Sequence, residues 1–134
     1  MTRLARGLLD TSIFIASESG RRLDESRLPA EGAISAVTLA ELHVGVLAAA
    51  DTDTRARRLA TLDSVADIEV LSMDEHVAMT WARLRVRLAE AGRRLNVNDL
   101  WIAATAVAND LAVFTQDADY EALQALGDVS VIQV

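Results

Sequence analysis

The segment Asn96 to Thr105, N-V-N-D-L-W-I-A-A-T, runs on through Ala106, Val107 and Ala108, and it constrains this chain more than any other stretch. A helix with small apolar side chains on every side has no face to offer water, so it belongs in the interior with other elements packed around it. Its one charge is Asp99, in the first turn. Asn96 or Asn98 can accept hydrogen bonds from the free N–H groups there, and the helix dipole favours an anion at that end. Those effects explain an acid at a helix start. They do not explain a carboxylate at the mouth of a buried helix, because an isolated buried charge is costly. No basic residue occurs between Asn96 and Val134. The partner is therefore a distant arginine or a metal ion.

The rest of the chain supplies the setting. Its 134 residues, 51% hydrophobic, suit a single domain over 1–134 with one substantial core. The longest apolar runs fall short of the ~20 residues a membrane span needs. No signal-peptide core precedes Asp10 and there is no cysteine, so a cytoplasmic protein is expected. Short apolar runs alternate with amphipathic helical patterns, which predicts an α/β domain with a mainly parallel five-stranded sheet flanked by helices. Strands are expected at Leu4 to Leu9, Gly32 to Ala36, Ile68 to Leu71, Ala112 to Thr115 and Val129 to Val134. Helices are expected from Thr11 toward Gly20, over Arg21 to Arg27, from Thr38, over Thr52 to Val65, over Asp74 to Ala91, over Asn96 to Asn109 and over Asp119 to Leu126. Thr38 and Glu41 have capping-box spacing, which places Glu41 in a first turn, with Gly45 leaving room beside it. The spacing of Val77, Trp81, Leu84 and Leu88 gives the clearest amphipathic helix, with Gly92 at its end.

On that plan Asp10 follows the first strand, Asp117 follows the fourth and Asp99 opens the helix between the third and fourth. Ligand sites in open α/β sheets form at the carboxyl ends of strands, where strand order reverses. Adding Glu41 gives four carboxylates, which would raise one another's pKa values unless a cation neutralised them. An all-oxygen donor set without cysteine, and with only His43 and His76 as imidazoles, suits Mg²⁺ or Mn²⁺ rather than zinc.

These residues resemble a known family. L-D-T-S-I-F-I at Leu9 to Ile15, V-T-L-A-E-L at Val37 to Leu42, N-D-L-W-I-A-A at Asn98 to Ala104 and T-Q-D-A-D-Y at Thr115 to Tyr120 occur in the order and spacing of a PIN domain. More narrowly, the chain resembles a VapC-type ribonuclease toxin of a bacterial toxin–antitoxin pair over essentially its whole length. The resemblance implies a PIN-like fold and a metal-dependent endoribonuclease, the toxin of a type II toxin–antitoxin system, cutting RNA phosphodiester bonds with a metal-activated water. It puts the catalytic acids at Asp10, Glu41, Asp99 and Asp117, adds Asp119 as a further metal-site acid, and matches Ser12 and Thr115 to small polar positions beside the metals. It also implies a homodimer, and a hetero-oligomer with a cognate VapB-type antitoxin. Since Mg²⁺ is usually held by one or two carboxylates and keeps several waters, Asp10 and Asp99 are the expected direct ligands. Glu41 and Asp117 would complete a second site or act through water, and Ser12 and Thr115 would orient the carboxylates. The antitoxin is expected to lay apolar anchors between the first helices, near Phe14, Ile15 and the Arg21–Arg22 pair, and to insert a basic side chain among the acids.

Simpler readings stand beside these. Taken singly, Asp10 reads as an N-cap, Glu41 as a capping-box member and Asp119 as a helix-start acid; it is their joint occurrence that points to a site. His43 and His76 read as surface or core residues, and Trp81 and Trp101 as packing residues. Arg83, Arg85, Arg87, Arg93 and Arg94 read first as a solvated face. The net charge of −7 opposes diffuse RNA attraction, which leaves metal contacts and local arginines to bind the substrate. All 13 basic residues are arginine. The missing lysine excludes receiver-type phosphoryl sites and a Walker-type P-loop, and Asp10-Thr11-Ser12 lacks the D-x-D of haloacid-dehalogenase phosphatases. The remaining rival is a catalytically idle PIN-like module that binds RNA or an antitoxin.

Overall fold

A computed structural model describes residues 5–134. The elements are β1 (Arg6–Leu9), α1 (Thr11–Glu18), a 3₁₀ turn (Glu25–Arg27), β2 (Glu31–Ser35), α2 (Ala36–Leu47), α3 (Thr52–Ser64) and β3 (Glu69–Leu71). There follow α4 (Glu75–Glu90), α5 (Val97–Ala108), β4 (Val113–Thr115), a second 3₁₀ turn (Ala118–Tyr120), α6 (Glu121–Ala125) and β5 (Val131–Gln133). Leu4, the expected start of the first strand, lies outside the described residues. The sheet order is β3-β2-β1-β4-β5, and every pairing is parallel. Strand order thus reverses beside β1, where the chain runs first to β2 on one side and later to β4 on the other.

Each strand sends alternate residues to opposite faces. Leu8 and Ala33 join the larger core cluster with Val77, Leu84 and Leu88 of α4 and with α5, whereas Ile34 points the other way, to Phe14, Leu42 and Val65. Helix α5 is the interior helix its composition demands, with Leu100, Ile102, Ala103, Ala104 and Ala106 all at most 2% exposed. Its alanines let α4 and the sheet approach closely. Larger side chains there would overpack the core, typically at a cost of ~1–3 kcal/mol. Gly92, at φ +67°, takes the left-handed conformation that ends α4. Gly7 on β1 is needed for another reason, since a Cβ there would run into the Phe114 ring.

Two local expectations are corrected. Helix α2 follows β2 without a loop, so its cap is Ser35, whose Oγ accepts from the Thr38 amide at 3.1 Å. Thr38 is therefore inside the helix and buried, and Glu41 occupies the second turn, free to reach across to α1. The room beside Gly45 is used by Arg58, which donates to the Gly45 carbonyl at 2.7 Å. The helix expected over Arg21 to Arg27 is only the 3₁₀ turn Glu25–Arg27, as this polar stretch has no apolar stripe to bury.

Candidate active site

Asp10 is the residue after β1 and the N-cap of α1, its carboxylate accepting from the Ser12 amide at 3.3 Å. Its own N–H donates to the Phe114 carbonyl, which brings Thr115, the last residue of β4, alongside. Thr115 Oγ1 donates to Asp10 Oδ2 at 2.8 Å, and the Tyr120 hydroxyl donates to Asp10 Oδ1 at 2.8 Å. With three donors, a carboxylate only 2% exposed is well compensated. Ser12 Oγ lies 3.1 Å from Thr115 Oγ1 and accepts from the Gln116 amide at 2.9 Å, while the Asp117 amide donates to Thr115 Oγ1 at 2.8 Å. This network ties the ends of β1 and β4 together at the point where the strand order reverses.

Asp99 faces Asp10 from the start of α5. The helix is capped by Asn96, whose Oδ1 accepts from the Asn98 amide at 2.9 Å and the Asp99 amide at 3.4 Å. The Asp99 carboxylate meets the Tyr120 hydroxyl at 3.4 Å, but that proton is committed to Asp10 by the shorter bond. Burial, followed by the charges of Asp10, Asp117 and Glu41, pushes the Asp99 carboxyl up to about 7. Burial, followed by the charges of Asp10, Asp99 and Asp117, holds the Tyr120 hydroxyl far above its ordinary range, so it stays a proton donor.

Asp117 caps the turn that follows β4, its Oδ1 accepting from the Asp119 amide at 2.9 Å. Carboxylate oxygens of Asp99, Asp117 and Asp119 lie within 4.8 Å of one another. Glu41 closes the rim, accepting from Thr11 Oγ1 at 2.6 Å and from Asn98 Nδ2 at 3.4 Å. Among the described residues the ion pairs are Arg6–Glu69 and Arg87–Asp128, neither of them in the crevice. Of the two partners open to Asp99, the geometry thus favours a cation from solution. Three close carboxylates with only oxygen donors around them fit a hard divalent ion.

The structure accordingly brings together all five acids picked from the sequence, with Ser12 and Thr115 beside them. It gives Asp119 a place among the closest oxygens, and it holds Asp10 beside them by three hydrogen bonds. Sequence reasoning missed Tyr120, which is 0% exposed and touches both Asp10 and Asp99. The D-A-D-Y spelling carried the only available signal, an aromatic with a polar tip just after two acids. It also missed Thr11 and Asn98, which hold Glu41. His43 and His76 are exposed. Trp81 and Trp101 stack on each other, with ring centres 4.8 Å apart, as packing residues do.

A PIN-domain family model matches residues 7–126. Ribonuclease VapC5 of Mycobacterium tuberculosis is 59% identical over 133 residues, covering 99% of this chain and 98% of that protein. Ribonuclease VapC4 of the same organism is 45% identical over 130 residues, covering 96% and 97%. A crystal structure of VapBC-5 from M. tuberculosis, a member of the VapBC family of toxin–antitoxin systems, superposes with a TM-score of 0.90 at 57% identity, covering 97% of this chain and 99% of that one. VapBC2 of Rickettsia felis, at 21% identity and a TM-score of 0.80, shares the fold. With its acids gathered at the β1–β4 switch point and its kinship spanning the whole domain, the chain belongs to the PIN-domain family, in its VapC group.

Proposed function

We propose that this protein is the toxin of a type II toxin–antitoxin system, a Mg²⁺- or Mn²⁺-dependent endoribonuclease that works in the cytoplasm. The observation that carries the reading is the triad Asp99, Asp117 and Asp119, whose carboxylate oxygens lie within 4.8 Å of one another with no described cation beside them. These three would hold the ion, with Asp10 and Glu41 at its margins. When bound, the ion would supply a nucleophilic hydroxide near neutral pH and stabilise the leaving oxygen of an in-line displacement at phosphorus. The protein's part is positional. Tyr120, Thr115 and the Ser12 amide fix Asp10, so that its remaining lone pairs have one orientation. Asn96 fixes the turn that carries Asp99, and Thr11 with Asn98 aims Glu41 across the crevice.

Between α1 and α2 lies a cavity of about 550 Å³, lined by Ile15, Val37, Val44, Glu41 and Arg58 among others. It suits the apolar anchors of a VapB-type antitoxin, with Glu41 at the acidic end ready for a basic side chain. Phe14 itself turns into the core beside Ile34, so Ile15 and Val44 carry the apolar wall. A guanidinium placed among the acids would compete with the metal. Inhibition is then expected to weaken as Mg²⁺ rises, and half-inhibition that never moves with metal would make the block purely steric. The catalytic reading is tested by incubating antitoxin-free protein with total RNA, with and without Mg²⁺ or Mn²⁺, and mapping the ends. Metal-dependent cuts at defined positions are expected. RNA binding without any cut would instead support the idle-module reading.

A further inference from the structure

We propose that the corner between α4 and α5 is the track that holds RNA beyond the scissile bond, with Arg85, Arg93 and Arg94 on its phosphates and an apolar slot beside Trp81 for one unstacked base. The inference rests on the ribonuclease reading and deepens it. A cavity of about 610 Å³ there is lined by Trp81, Arg85, Arg93, Arg94, Leu95 and Val97, together with further apolar residues and no carboxylate. A smaller cleft of about 320 Å³ is lined by Arg94, Leu95, Asn96 and Asp119. The two share Arg94 and Leu95. A strand leaving the acids at Asp119 thus meets Arg94 first, and the larger cavity next.

The arginines are available. On α4, Arg87 is engaged with Asp128 and the Leu126 carbonyl, whereas the side chains of Arg85 on that helix and of Arg93 and Arg94 just after it are exposed and meet no acid or carbonyl among the described residues. In a chain with 20 acidic and 13 basic residues, three such arginines around one acid-free cavity form a local reversal of charge. A substrate that is anionic along its length needs such a reversal next to an acidic centre. The slot itself has an apolar floor and an aromatic wall, the surroundings in which single-stranded bases are seated. The Trp81 indole N–H lies beside this slot, buried and with no partner among the described residues.

The test uses the intact protein and two RNA probes centred on a mapped cut, one extending several nucleotides to each side and one trimmed to the few around the scissile bond. Arg93→Ala with Arg94→Ala is expected to raise KM for the long probe about tenfold or more, to leave kcat nearly unchanged, and to leave the short probe unaffected. The slope of log affinity against log salt is expected to shrink by about 0.7 for each phosphate that is no longer neutralised. Arg93→Lys with Arg94→Lys should restore much of that slope, which a merely structural role would not do. Arg55→Ala with Arg57→Ala on α3 removes the same charge elsewhere and should change nothing; an equal effect there would overturn the track in favour of net charge alone. Unchanged KM and salt slope in the corner variants, with wild-type cleavage intact, would overturn the track and leave the ribonuclease reading standing. Loss of antitoxin affinity with unchanged KM would make the corner a protein-binding surface instead. If the wild type cut no RNA at all, the ribonuclease reading would fail and the track with it.

Discussion

Asp10 and Asp99 face each other across one crevice, both within reach of the Tyr120 hydroxyl, yet their surroundings treat them oppositely. Asp10 is almost completely buried and receives a phenol, a threonine hydroxyl and a backbone amide. Asp99 is half-buried and receives only the long 3.4 Å contact from the phenol. Its neighbours are acids, and its carboxyl is pushed up to about 7. The contrast separates two ways to keep a carboxylate inside a protein. One is to surround it with donors, which satisfies its oxygens and sets its orientation. The other leaves the charge uncompensated, so that the site gains by taking up a cation.

The largest expected effect tests the open side of that contrast. Asp99→Asn is expected to lower RNA cleavage on the order of 10³-fold, equivalent to about 4 kcal/mol of transition-state stabilisation. Without metal the same variant is expected to be at least as stable as the wild type. The sign follows from linkage: a carboxyl whose folded pKa, about 7, lies above its ordinary value of 3.8 contributes stability that is complete below the unfolded value and lost as pH rises through the folded one. Melting of the metal-free wild type should therefore weaken from about pH 4 to about pH 7, and Asp99→Asn should flatten that decline. A variant that cut RNA at the parent's rate, or melted with the same pH slope, would erase the distinction.

Metal addition sharpens the comparison from the other direction. A divalent ion that binds only the folded crevice adds about 2.7 kcal/mol when present at 100 times its Kd. Calorimetric melting in chelator and in Mg²⁺ or Mn²⁺ should differ by an amount that grows with concentration, and zinc should offer no special advantage. Asp99→Asn should lose most of the shift. Coincident curves for the wild type in chelator and in metal would count against a cation site.

How much of this is legible in the sequence depends on how local each signal is. The interior helix, its terminal acid and the α4 stripe of Val77, Leu84 and Leu88 can be read directly, because periodicity and residue size report burial without knowledge of neighbours. A mainly parallel sheet follows from the alternation of strands and helices, and the structure makes every pairing parallel. The placing of Asp10, Asp99 and Asp117 around one crevice follows from a general rule about where strands end. Tyr120 is not legible. Its aromatic ring explains burial by itself, and its bond to Asp10 joins residues 110 positions apart. Ser35 is hidden for a different reason. Thr38 and Glu41 have the spacing of a cap, but the strand runs straight into the helix and the earlier hydroxyl takes the role. Neither Asp119's closeness to Asp99 nor the arginine-lined corner can be seen before the chain is folded.

The compensated side of the contrast is tested by Tyr120→Phe, which keeps the ring and deletes the donor. Asp10 would be left buried with one strong hydrogen bond fewer, at a cost of ~1–3 kcal/mol. Cleavage is expected to fall 10- to 100-fold, on the order seen when a partner that orients a metal ligand is lost. Chemical denaturation and single-turnover cleavage, each with saturating Mg²⁺, separate the two effects. Unchanged activity in a destabilised variant would confine Tyr120 to packing and leave Asp10's orientation to Thr115 and the Ser12 amide.

The smallest expected effect belongs to Ser12→Ala, and it shows how far the network around Asp10 extends. Ser12 Oγ does not touch either acid; it contacts Thr115 Oγ1 at 3.1 Å and accepts from the Gln116 amide at 2.9 Å. Its amide still donates to Asp10 after the substitution, because that bond comes from the backbone. What is lost is one bond that steadies Thr115 and one acceptor for a half-buried amide which water can partly replace, so the expected cost is about 1 kcal/mol in stability. Thr115 keeps its own bond to Asp10 and still accepts from the Asp117 amide, so cleavage should fall less than tenfold. Denaturant midpoints and cleavage rates at saturating Mg²⁺ decide it. If Ser12→Ala abolished cleavage as completely as Asp99→Asn, Asp10 would depend on its outermost support as strictly as Asp99 depends on its charge, and the division between a compensated and an open carboxylate would no longer describe the site.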